Sequence, residues 1–350
     1  LGLMVAVDIP LPRYNEEDIW YADPENTAQV TRRIVELVTT NRDHPALLFW
    51  ILGNEVYPIS VSGNDFITQF NTWVALIRDL DPQHPVTSAF PGIGRRMIAS
   101  KSLNSPNLHF LGLNSFGSVS SMDTRLAQLS PFWRGPFMLT EWGTNGPWEA
   151  RETTSWEAPV EQTSTKKAEI FRERYRQTRE LFLERFLGSF IFYWGQKEER
   201  TPTWFSTFLP DGRPTQVVHE AACFFGNKAV PYEGPKLGYL LLEGKGAPSS
   251  ITLPPGKEVT ASIHDATPDP SKLEVQWELR PENWYPLGGG NWDSNTVIPT
   301  DFKIPEAGMV RFTTPEAEGP YRLYLYLGDA QGRAATANIP FFILKPENGP

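Results

Sequence analysis

The stretch that decides the fold runs His44-Pro45-Ala46-Leu47-Leu48-Phe49-Trp50-Ile51-Leu52-Gly53-Asn54-Glu55. Its unbroken apolar run from Ala46 to Leu52 is bracketed by a proline and a glycine. A run this short and this apolar reads as a strand buried on both faces, as parallel strands are. Upstream, Val30, Ile34, Leu37 and Val38 recur at helical spacing. Downstream, Phe66, Phe70, Trp73, Ile77 and Leu80 do the same until the Asp81-Pro82 turn. A buried strand with a helix on either side is the repeating unit of a parallel α/β sheet.

Working outward, further strands are expected at Leu3–Ile9, Pro85–Ala89, Leu108–Leu113, Pro136–Thr140 and Ser189–Trp194. Helices are expected at Asp123–Leu129, Lys166–Arg185 and Gln216–Phe224. The long middle one carries the stripe Phe171, Tyr175, Thr178, Phe182 and Phe186. Six strands alternating with helices predict an α/β fold, a TIM-type (β/α)8 barrel that lacks its first two βα units in this chain. The chain opens directly on the strand-like Leu1-Gly2-Leu3-Met4-Val5-Ala6-Val7, so upstream residues are expected to supply them. Without them the sheet has open edges, which proteins cover.

After about residue 230 the texture changes. Proline and glycine become frequent, and short alternating runs appear at Glu258–His264, Leu273–Leu279, Val310–Thr313, Tyr321–Leu327 and Ala335–Leu344. This pattern predicts a small antiparallel β-sandwich. The expected division is 1–230 for the barrel and 231–350 for the sandwich, with Trp277 as a core residue of the latter.

The composition narrows the function. The chain has 350 residues, 40% hydrophobic and 21% charged, enough to bury a large core. A net charge of −9 argues against a nucleic-acid partner and against a basic lipid-binding patch. No apolar run reaches the length of a membrane span. The single Cys223 excludes an internal disulfide and reads as a small buried residue. His44, His84, His109, His219 and His264 are scattered without ligand spacing, so no metal and no cofactor are expected. Gly288-Gly289-Gly290 has no strand-to-helix context, so it is no phosphate loop. The 12 Trp mildly favour a carbohydrate partner.

The chemistry gathers at two strand ends. The deciding strand delivers Asn54 and Glu55 to its C-terminal end, where barrel enzymes keep their reactive groups. Pro136-Phe137-Met138-Leu139-Thr140-Glu141-Trp142-Gly143 does the same with Glu141. A lone carboxylate after a strand is most often a surface charge. Two of them on separate strands are what cleavage of a glycosidic bond requires: one protonates the leaving oxygen, and the other attacks the anomeric carbon or activates a water.

At these residues the chain resembles a known family. "HPALLFWILGNE" is similar to the acid/base motif of glycoside hydrolase family 2 and its clan of retaining (β/α)8 glycosidases. "FMLTEWG" resembles the clan's nucleophile motif. The resemblance covers roughly residues 1–225. It implies a retaining β-glycoside hydrolase acting on an oligo- or polysaccharide, with Glu55 as general acid/base and Glu141 as nucleophile. It implies that Asn54 bonds the sugar 2-hydroxyl, that Trp194 ends strand eight as an aromatic floor, and that Asp8 ends strand three near a sugar hydroxyl. Where the family usually presents a tyrosine that bonds the nucleophile, this chain has Phe116 within Gly112-Leu113-Asn114-Ser115-Phe116, and Asn114 is the candidate substitute. Two alternatives stay open: a transglycosylase using the same covalent intermediate, and a non-catalytic carbohydrate-binding protein on a decayed barrel.

Other residues carry weaker claims. Trp142, Trp148 and Trp156 follow the Glu141 strand and read equally as stacking positions or packing. Lys197-Glu198-Glu199-Arg200 reads as a solvated loop. The sandwich resembles an immunoglobulin- or fibronectin-like module, with Trp284, Tyr285 and Trp292 as sugar-binding candidates. The acidic charge and the sandwich lean towards a secreted or periplasmic protein. Oligomeric state stays open.

Overall fold

A computed structural model describes residues 2–12, 17–56, 64–93, 107–131, 133–282 and 296–345. The chain divides into two compact units, Leu1–Trp142 with Gln177–Ile191, and Gly143–Arg176 with Phe192–Pro350. These units do not follow the change of sequence texture near residue 230.

The first unit holds one parallel sheet in chain order: β1 (Val5–Ile9), β2 (Leu47–Asn54), β3 (Val86–Phe90), β4 (Leu111–Asn114), β5 (Phe137–Trp142) and β6 (Phe186–Ile191). Helices α1 (Glu17–Ala22) and α2 (Pro24–Asn41) join β1 to β2. Helix α3 (Asn64–Leu80) precedes β3, and α4 (Met122–Leu129) precedes β5. Asp23 caps α2 by accepting the Glu25 N–H at 2.8 Å, with Pro24 opening the first turn. Val30, Ile34 and Val38 are the buried stripe of α2; Phe66, Phe70, Trp73 and Ile77 are buried on α3. Trp73 donates its indole hydrogen to Thr31 at 2.9 Å, fastening α3 to α2. This six-stranded parallel sheet is the expected α/β sheet of TIM-barrel type.

Three expectations need correction. The last strand was expected at Ser189–Trp194 but spans Phe186–Ile191. Phe186 had been assigned to a helical stripe; instead it pairs with Phe137 of β5, and the Phe137 N–H donates to Arg185 O at 2.9 Å. Pairing with a distant strand thus outweighs the local helical period. The run from Leu3 reads as a buried strand, yet Leu3, Met4 and Val5 are exposed. β1 pairs only with β2, so its outer side is an edge. Cys223, expected to be buried, is half-buried, with Sγ 3.5 Å from His219 Nε2.

The second unit contains two further sheets. One has the order β10 (Glu274–Pro281), β12 (Gly319–Gly328), β13 (Ala334–Ile343), β8 (Thr252–Leu253). The other has the order β11 (Met309–Thr313), β9 (Glu258–His264), β7 (Tyr239–Leu242). Both sheets send alternate residues into one core, including Leu240, Val259, Phe312, Trp277, Leu325 and Ile339, which makes a β-sandwich. The two-residue β8 and the four-residue β7 are too short for their alternation to stand out in the sequence.

The same unit includes α5 up to Arg176 (α5 spans Ser164–Phe182) and α6 (Gln216–Phe225). β12 and β13 are buried on almost every residue, on both faces. On the face away from the sandwich core, Arg322 donates to Glu282 at 2.6 Å and to Asn338 at 2.6 Å. Asn338 in turn donates to Glu161 at 2.6 Å, and Lys167 Nζ lies 2.5 Å from Glu161. Among the described residues no helix is long and apolar enough to cross a membrane.

Candidate active site

The ends of β2, β4 and β5 are built to hold polar groups where a ladder would otherwise run out of partners. The β2–β3 register shifts between Ile51 and Asn54, and the β4–β5 register shifts between Leu113 and Asn114. Such irregularities free backbone groups that must be bonded again. The hydroxyls of β3 do this: Ser88 donates to Gly53 O at 3.1 Å, and Thr87 donates to Phe110 O at 2.7 Å while accepting the Gly112 N–H at 3.0 Å. Both side chains are fully buried. Gly112 is required by close approach: a Cβ there would stand 2.7 Å from Ser88 O and 2.8 Å from Thr140 Cγ2.

β2 ends in Gly53 at φ 75° and Glu55 at φ 54°. A left-handed conformation suits glycine but costs a glutamate of order 1 kcal/mol. Glu243 and Asp265 take the same conformation directly after β7 and β9; in the parallel sheet Glu55 does so directly after β2. Its N–H donates to Ala89 O at 2.7 Å, which extends the β2–β3 ladder and turns the side chain out of the strand's alternation. Strain held at such a point is a mark of functional positions.

Asn114 is the hub. Its amide nitrogen donates to Asn54 Oδ1 at 2.9 Å and to Glu55 Oε1 at 3.1 Å. Its amide oxygen accepts from Thr140 Oγ1 at 2.8 Å. The next residue, Ser115, donates its N–H to Glu141 O at 2.8 Å. Asn114 at the end of β4 and Ser115 just beyond it therefore tie the end of β2 to the end of β5, and Glu55 and Glu141 stand at the same C-terminal edge of the sheet.

The remaining expected site residues fall into two groups. Asn54, Glu55 and Glu141 are half-buried. Asn114, Phe116 and Trp142 are buried, at 4%, 7% and 0% exposure, and offer little surface to a ligand. Both Asn114 amide hydrogens bond to Asn54 and Glu55, so its donors face the Glu55 side and not the Glu141 carboxylate where a tyrosine hydroxyl was expected. Asp8 is exposed on β1. Trp194 belongs to the second unit, three residues beyond the end of β6; it is exposed and meets Phe208 edge-on at 5.2 Å. Lys197 pairs with Glu199 at 3.4 Å and Glu198 with Arg280 at 3.7 Å, so that loop is ion-paired. Trp284, Tyr285 and Trp292 lie outside the described residues. Sequence reasoning missed Thr140 and the Ser88–Gly112 contact; the small residues on both strands were the available signal.

Solved structures similar to the chain include an endo-β-1,4-mannanase from Thermotoga petrophila, at 16% identity over 95% of this chain and 74% of that one, TM-score 0.42. β-Glucuronidase 2 of Bacteroides uniformis follows at 14% identity, 99% and 39% coverage, TM-score 0.45. A family 2 β-galacturonidase from Eisenbergiella tayi has 18% identity, 62% and 39% coverage, TM-score 0.46. This chain thus spans about two fifths of the length of the latter two. No curated protein matches it. Residues 9–143 match the family model described as "Glycosyl hydrolases family 2, TIM barrel domain". That span, which holds the ends of β2, β4 and β5 with Glu55, Asn114 and Glu141, is similar to the TIM barrel domain of glycosyl hydrolases family 2.

Proposed function

We propose that the chain carries the catalytic carboxylates of a retaining β-glycoside hydrolase that cleaves β-linked oligo- or polysaccharides, with Glu55 as general acid/base and Glu141 as nucleophile. The observation that carries this reading is the Asn114 bridge, which bonds Glu55 directly and Glu141 through its neighbours Thr140 and Ser115. Glu55 protonates the glycosidic oxygen while Glu141 attacks the anomeric carbon. A water, deprotonated by Glu55, then releases the sugar from Glu141. Asn54, held by Asn114, presents its amide hydrogens to the sugar 2-hydroxyl. A secreted or periplasmic location and an immunoglobulin-like relationship of the sandwich go with this reading.

The test is a slow 2-fluoro-glycoside offered to the wild type and to Glu141→Gln. A mass increase equal to one glycosyl group on the wild type, absent from the variant, supports the covalent route. Turnover of a β-glycoside that persists at the wild-type rate in Glu141→Gln overturns it. The bridge also fits transfer to a second sugar in place of water, which product analysis at high acceptor concentration reads.

A further inference from the structure

We propose that Thr140 is a positioning residue for the proton transfer: through Asn114 it makes Oε1 of Glu55 the accepting oxygen and so leaves the acidic proton on Oε2. The inference rests on the reading of Glu55 as general acid/base given above. It concerns the parallel sheet alone, since β2, β4 and β5 all lie in the first unit.

The direction of the Asn114 amide follows from its neighbours. An ionised carboxylate only accepts hydrogen bonds, so the amide atom 3.1 Å from Glu55 Oε1 is the nitrogen. Its other hydrogen goes to Asn54 Oδ1 at 2.9 Å. The amide oxygen is thereby turned to β5, where Thr140 Oγ1 donates to it at 2.8 Å. The terminal torsion of an asparagine is broad, and a bond at each end of the amide is what narrows it. Asn114 and Thr140 are 4% and 8% exposed, so bulk water is a poor replacement for either partner.

Thr140 is itself held in place. A Cβ on Gly112 would stand 2.8 Å from Thr140 Cγ2, and Gly112 is fixed in turn by its N–H bond to Thr87 at 3.0 Å. A β-branched side chain has few rotamers, so packing the methyl also aims the hydroxyl. Valine at this position keeps the branched shape and removes the donor. The Asn114 oxygen is then buried without a partner, and the amide is pinned at one end only.

The consequence falls on Glu55. In its protonated form, the oxygen that accepts from Asn114 is the carbonyl oxygen, and the proton sits on Oε2. As Glu141 bonds the anomeric carbon, the bond from that carbon to the glycosidic oxygen breaks. Its electron pair stays on that oxygen, which takes the proton from Oε2. With Asn114 unpinned the carboxyl turns, either oxygen carries the proton, and the acid is misaligned. Departure of a leaving group that needs no proton is affected less.

The test compares kcat/KM on alkyl β-glycosides, which need the proton, with kcat/KM on dinitrophenyl β-glycosides, which leave without it. The full chain is used as wild type, Thr140→Val, Thr140→Ser and Glu55→Ala. Thr140→Val should lose about tenfold more on the alkyl substrates than on the dinitrophenyl ones, part of the roughly 10²- to 10⁴-fold that a positioned acid supplies. Thr140→Ser, which keeps the hydroxyl, should return the ratio towards that of the wild type. Equal losses on both substrates in Thr140→Val, or a Thr140→Ser ratio no better than that of Thr140→Val, overturn the proposal. Circular dichroism melts check folding, and Thr140→Ala reads the same ratio if the valine variant does not fold. Glu55→Ala separates the two readings. A split there beside equal losses in Thr140→Val removes only the role of Thr140. Equal losses in Glu55→Ala, or no turnover by the wild type, remove the acid/base reading and this inference with it.

Discussion

Asn114 Nδ2 lies 3.1 Å from Glu55 Oε1, a bond that runs from β4 past β3 to the end of β2. The same amide accepts from Thr140, whose neighbour is Glu141. Replacing Asn114 by Ala removes its hydrogen bonds to Asn54 and Glu55 and leaves Thr140 unpaired in a buried place. A loss of about 1–3 kcal/mol is expected from leaving such a buried group unsatisfied, so kcat/KM of Asn114→Ala should fall about five- to hundredfold if it is felt in the transition state. Steady-state kinetics on any accepted β-glycoside check this. Asn114→Asp should not restore activity, because a carboxylate has no N–H to donate to Asn54 and Glu55.

Gly112 makes the hub possible. A methyl group there meets Ser88 O at 2.7 Å and Thr140 Cγ2 at 2.8 Å. Gly112→Ala should therefore destabilise the chain by about 1–3 kcal/mol, the usual cost of overpacking. It should also lower activity, because Thr140 must move away from Asn114. A urea midpoint and a rate measured on the same sample check both.

Acid should act through Asp81. Burial alone pushes its carboxyl up, but bonds from Trp50 Nε1 at 2.9 Å, from His84 and from the Gln83 and His84 N–H groups outweigh it and hold the carboxyl below its usual range. A depressed folded value means that the stabilisation is complete above the unfolded value, about pH 4, and is lost as pH falls through the folded one. The stability difference between wild type and Asp81→Asn should be flat above about pH 5 and shrink on acidification. Unfolding curves between neutral and strongly acid pH measure it.

The second unit should be sensitive at the Glu161–Lys167 pair. Both side chains are buried, and Glu161 also accepts from Thr201 at 2.6 Å and Thr203 at 2.8 Å. Burial opposes the ionised Glu161, and Lys167 with these hydroxyls overcomes it, holding the carboxyl below its ordinary range. Lys167→Met should cost about 3–5 kcal/mol by leaving a buried carboxylate without its counter-charge. Combining it with Glu161→Gln should recover much of that loss, which a double-mutant cycle in urea reads out.

Much of this was legible before any coordinates. The apolar run before Asn54-Glu55 and the stripes of α2 and α3 fall where the structure puts them, because unbroken apolar stretches and helical periods are local properties of the chain. The last parallel strand was displaced because Phe186 satisfies two patterns at once, and only β5 chooses between them. The short strands β7 and β8 exist through pairing with β9 and β13, not through their own alternation.

The sequence by itself determined the alternation of strand and helix, the sandwich texture and the two strands that end in glutamate. Each of these is written in neighbouring residues whose polarity dictates a burial pattern. Only the tertiary structure decided that Asn114 turns its donors to Glu55 and not to Glu141, that Trp142 is core while Trp148 is largely exposed, and that Glu161, Lys167 and Arg322 form one buried network. Those choices depend on hydrogen-bond partners and covering atoms from segments far apart in the chain, and no local period of the sequence encodes them.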